Sequence, residues 1–102
     1  MILRHIVLMK FPGGVESGWL DEMHAAVEEM AERIPEVLAS SGGLDVSGKD
    51  ENFDYAIILD FADREAYERY RVHQMHQDFI ARFIKGRTIE KVRVQLSLPQ
   101  VP

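Results

Sequence analysis

The sequence has 102 residues, 46% hydrophobic and 28% charged, with a formal charge of -5 from 17 acids and 12 bases. At this length one domain over residues 1–102 with one modest core is expected, which excludes an active site shared between two domains. Lys and Arg form no run and are not interleaved with aromatics, which argues against nucleic acid, and the absence of cysteine excludes disulfides and thiolate chemistry.

Residues 3–11 are bulky and branched, and strand geometry puts His5, Val7, Met9 and Phe11 on one face with Ile6 and Leu8 on the other. Arg4, His5 and Lys10 interrupt the apolar streak, so it reads as a first strand rather than a secretory leader. No window approaches the roughly 18 apolar residues that a membrane span requires. A cytoplasmic location without a membrane partner is therefore expected. PGG at 12–14 breaks the strand.

From Ser17 to Ile34 the period changes. Leu20, Met23, Val27, Met30 and Ile34 recur three and four apart, the stripe of an amphipathic helix. Ser17 is the expected cap, Asp21 and Glu22 suit the first turn, and Pro35 sets the limit. SSGGLDVSG leads to a short, weak strand expected around Leu44–Ser47, and KDENFD is a polar loop. YAIILDF is a better strand, with Tyr55, Ile57, Leu59 and Phe61 on one face. Asp63 is the expected cap of a second helix, REAYERYRV; a third helical segment runs from Met75 to Ile84, and Gly86 stops it. Residues 88–98 alternate cleanly, with Val92, Val94, Leu96 and Leu98 expected inward and Lys91, Arg93, Gln95 and Ser97 outward. The tail LPQVP carries two prolines and cannot continue a ladder.

This order predicts an α+β, ferredoxin-like fold: a four-stranded antiparallel sheet with helices on one face. Too many positions on the second face are apolar to be left in water. A homodimer that closes two sheets into a dimeric α/β barrel is the simplest cover.

Tyr67, Tyr70, His73 and His76 recur at intervals of three, which on one continuous helix makes a slowly drifting stripe. A bend near His73 is expected to alter that stripe. Histidine exchanges a proton near neutrality, and a tyrosine hydroxyl in a dry cavity donates to the developing charge of an enolate. His5, on the first strand, and Tyr55, on the third, join the same cavity if that side of the sheet meets the helices. Each residue also has a plainer reading: His5 as a packing residue, His73 as a helix cap, His76 as a ring in need of a partner. No metal is expected, because His73 and His76 are three apart, whereas the helical zinc motif spaces its histidines by four around a glutamate. PGG and SSGG lack the pattern of a phosphate loop, and no serine elbow is present.

Taken together, LRHIVLMKF, DYAIILDFADREAYERY, HQMH followed by DF, and VRVQLSL resemble the stress-responsive A/B barrel (Dabb) family over nearly the whole chain. The resemblance implies a small dimeric α+β barrel. One plant member is a polyketide cyclase that closes a ring by aldol condensation. The resemblance maps its histidine and tyrosine pair onto His76 and Tyr70, and a further pocket histidine onto His5. Where that cyclase has a histidine on the third strand this chain has Tyr55, and Gln74 stands where many members have proline after His73. The implied roles are His76 as base, Tyr70 as donor and His5 as orienter. Val7, Met9, Tyr55, His73, Phe79 and Phe83 would contact an apolar or β-keto ligand, and no cofactor is required. The function classes left open are an apolar small-molecule binder, a cofactor-independent cyclase or aldol-type lyase, and a cofactor-free monooxygenase of the related dimeric barrel type.

Overall fold

The computed structural model describes residues 1–13, 16–87 and 89–99. The expected break at Gly14, the start of the last strand at Thr88 and the tail from Gln100 to Pro102 lie outside the described residues. The chain order is β1 (Ile2–Lys10), α1 (Ser17–Arg33), β2 (Ala39–Leu44), β3 (Tyr55–Phe61), α2 (Arg64–Arg71), α3 (Gln74–Phe79) and β4 (Glu90–Leu98). A π-helical turn, Ile80–Ile84, continues α3. The sheet order is β2-β3-β1-β4 and every pairing is antiparallel, which is the ferredoxin-like arrangement. No helix is long and apolar enough to cross a membrane among the described residues.

Residues directly opposite in an antiparallel pair share a face. Met9 faces Tyr55, Val7 faces Ile57 and His5 faces Leu59, so the buried side of β3 fixes which side of β1 meets the helices. Met23, Val27, Met30 and Ile34 of the α1 stripe, with Phe61 and Phe83, complete the core as expected. Truncating a fully buried ring such as Phe61 to alanine costs about 3–5 kcal/mol.

The structure corrects three expectations. β2 ends at Leu44 rather than beginning there. As an edge strand it is held by backbone bonds to β3, so exposed serines and glycines suffice, and Gly42 is required: its φ is 156°, and a Cβ there would lie 2.3 Å from the Ala56 carbonyl oxygen. Ser17 is the first helical residue, not the cap; Glu16 holds that position without a side-chain bond, and Asp21 and Glu22 fall beyond the first turn. Asp63 does cap α2, accepting from the Ala66 amide at 2.8 Å.

The third correction concerns β4. Lys91, Arg93 and Gln95 stand opposite Met9, Val7 and His5 and therefore face the helices. Val92, Val94 and Leu96 lie on the outer face of the sheet, 47%, 50% and 39% exposed. Alternation separates two sets of residues, but only pairing with β1 decides which set meets which layer.

Candidate functional site

A cavity of about 310 Å3 lies between the helix-facing side of the sheet and α2, α3 and the π turn. Most of its wall is apolar, with Val7, Met9, Phe79 and Ile80 among the contributors. His5, Tyr67, Tyr70, Arg71, His76, Lys91 and Arg93 supply the polar part.

His76 reaches this cavity because the helical stretch breaks ahead of it. Val72 closes α2, and His73 is extended (φ -64°, ψ 139°) as the N-cap of α3, with its Nδ1 accepting from the Met75 amide at 3.1 Å. A helix that ends leaves its last carbonyls without partners. The Arg71 carbonyl is one of these, and His76 Nδ1 bonds to it at 2.9 Å. A carbonyl only accepts, so Nδ1 carries the proton and the neutral ring holds its lone pair on Nε2. Burial, reinforced by the charges of Arg71, Arg93 and Lys91, lowers the His76 pKa, while the bond to the Arg71 carbonyl works the other way.

Tyr70 packs on this ring, with centroids 4.5 Å apart. Burial, followed by the neighbouring Tyr67, pushes the phenol pKa up, so the hydroxyl remains a proton donor. His5 lies across the cavity, its ring centroid 4.8 Å from that of Tyr67. Its Nδ1 accepts from the Gln95 amide nitrogen at 3.0 Å, which leaves the proton on Nε2. Burial, then Arg93 and His76, bring its pKa down to about 4. The two neutral histidines thus have opposite tautomers, one with Nε2 as a base and the other with Nε2–H as a donor.

Three expected cavity residues lie elsewhere. His73 caps α3, and Phe83 packs between Trp19 and Phe79 in the core, outside the wall of this cavity. Tyr55 lines a separate, more open hollow of about 550 Å3 between α1 and the β2–β3 edge. There its hydroxyl is hydrogen-bonded to His24 Nδ1, and His24 Nε2 meets Glu28 at 2.7 Å. Burial, then Glu28, push the Tyr55 pKa up to about 12. This polar chain is satisfied internally, whereas the smaller cavity gathers the residues suited to proton transfer.

Sequence reasoning missed His24, although the His24–Glu28 spacing of four was a readable signal. It also missed the cationic wall from β4. Burial and Arg93 lower the Lys91 pKa. Among the described residues no group of three or more His, Cys, Asp or Glu side chains converges to hold a metal ion.

The chain resembles several solved structures. A dimeric ferredoxin-like protein of unknown function from Thermobifida fusca is 24% identical with a TM-score of 0.84, over 96% of this chain and 92% of that one. Hydroxynitrile lyase from Passiflora edulis is 16% identical with a TM-score of 0.79, over 98% and 97%. A mutant of SnoaB, a cofactor-independent oxygenase from Streptomyces nogalater, is 13% identical with a TM-score of 0.72, over 98% and 95%. At these identities the likeness shows the fold alone. No curated protein matches the sequence. The model of the stress responsive A/B barrel domain matches residues 3–94, and the chain belongs to that family, known as Dabb.

Proposed function

We propose that this chain is a homodimeric, cofactor-independent acid–base catalyst of the aldol or lyase class, acting on an apolar β-keto compound. His76 Nε2 takes a proton from the carbon beside the carbonyl. The Tyr70 hydroxyl donates to the enolate oxygen, and His5 Nε2–H orients the substrate through a second acceptor. The observation that carries the reading is the fixed pair of tautomers, with a base held neutral by burial beside a phenol that keeps its proton. The apolar wall supports an apolar substrate body. The apolar outer face of the sheet supports the homodimer, as do the dimeric neighbours.

The test is α-proton exchange of an apolar β-keto thioester in D2O, followed by NMR. The chain should accelerate exchange, His76→Ala should return it to background, and Tyr70→Phe should slow it about 10–100-fold. Exchange that ignores the loss of His76 would remove the base from the scheme. A cofactor-free oxygenase, the second reading drawn from the SnoaB-like fold, would instead consume oxygen with an electron-rich aromatic.

A further inference from the structure

We propose that the ligand of this cavity is an apolar carboxylic acid whose carboxylate is held by Arg93 and Lys91 of β4. The inference rests on the acid–base reading for what happens at His76, and it adds the substrate class.

The charge at the cavity runs against that of the molecule. The chain has 17 acids and 12 bases, yet Arg71, Lys91 and Arg93 all reach the cavity wall and, among the described residues, no Asp or Glu does. Arg71 is already paired, its Nε 2.8 Å from Glu68. Lys91 and Arg93 make no ion pair among the described residues. Their cross-strand partners on β1 are Met9 and Val7, which offer them nothing polar.

Lys91 and Arg93 alternate along β4 on the same face, about 6.6 Å apart at the usual strand rise. One carboxylate can lie between two such side chains. The planar guanidinium presents a fork that matches the two oxygens, and the ammonium adds a point charge. Lys91 is half-buried, so its charge is partly withdrawn from water. An unpaired cation in that position gains more from an anion than a fully solvated one does. The apolar lining from β1 and α3 then takes the rest of the acid and leaves its reacting carbon toward His76 and Tyr70.

Calorimetric titration of the full chain with three probes that share an eight-carbon tail tests the assignment: octanoate, octyl phosphate and 1-octanol. Octanoate should bind at least about tenfold more tightly than octanol at low salt, and the margin should shrink as salt is added. The double variant Lys91→Gln, Arg93→Gln should bring octanoate to the level of octanol and leave octanol where it was. Equal binding of octanoate and octanol overturns the proposal, as does no binding of either, or a preference that survives the double variant. Tighter binding of octyl phosphate also overturns it and assigns the cations to a phosphate. His76→Ala should keep the octanoate preference. Proton exchange that persists in His76→Ala, with that preference intact, therefore sinks the acid–base reading alone. Exchange that is lost in His76→Ala, while the wild-type chain binds octanoate no more tightly than octanol, sinks the carboxylate alone.

Discussion

Gln95 on β4 stands directly opposite His5 on β1 and donates an amide hydrogen bond of 3.0 Å to its Nδ1. This bond decides which ring nitrogen of His5 presents a proton to the cavity.

Replacing Gln95 with leucine removes the donor and frees the tautomer. In nitrogen-15 spectra of the imidazole, His5 should change from nearly all Nε2–H to a mixture, while His76, held by the Arg71 carbonyl, should not respond. Proton exchange should slow about tenfold, the size of one lost neutral hydrogen bond. An unchanged His5 spectrum would mean that another group sets the tautomer.

Acid should destabilise the protein before its carboxylates titrate. The His5 pKa lies near 4 in the fold against an ordinary 6.5, so the unfolded chain takes up the proton first as pH falls. The contribution is complete above pH 6.5 and is lost on the way down to about 4. His76 adds in the same direction. Arg93 and Lys91 from β4, Arg71, Tyr67 and Tyr70 from α2 and the two histidine rings themselves are the charged and titratable groups around this cavity. Melting temperature should fall over that range, and His5→Gln should flatten the slope; parallel curves for the two proteins would contradict this account.

Gln74 occupies the first position of α3 after an extended His73. That is the geometry a proline accepts, since the preceding residue is already outside the helical region and the first helical amide needs no partner. Gln74→Pro should stabilise the chain by about 0.4–1 kcal/mol through the unfolded state, less a little for the exposed Gln74–Asp78 bond of 2.7 Å. Urea titration measures the change. A loss of stability would show that the joint is shaped differently from the ring positions it supports.

The outer row of β4 should govern association. Val94→Lys places a charge in the middle of the apolar outer face and should convert a dimer into a monomer in sedimentation velocity. A wild-type chain that sediments as a monomer would remove the homodimer.

Much of this was legible from the sequence. The stripe Met23, Val27, Met30 and Ile34 and the faces of β1 and β3 follow from local periodicity, because both faces of each element leave a strong pattern. His5, Tyr70 and His76 do share a cavity. The sense of β4 was not legible: its two rows are both plausible liners until the register with β1 is known, and that register is a long-range fact. Tyr55 misled for a related reason, since residues on one face of one strand can end in different hollows when α1 crosses between them. The break at His73 was legible as a bend, but its product, a free Arg71 carbonyl that sets the His76 tautomer, exists only once both helices have been placed.

β4 is a party wall one residue thick. Arg93 looks into the cavity while its chain neighbour Val94 looks out across the sheet, and a single peptide unit joins them. Any repacking on one side tilts the other, so paired substitutions in the two rows should depart from simple addition even though their side chains never touch.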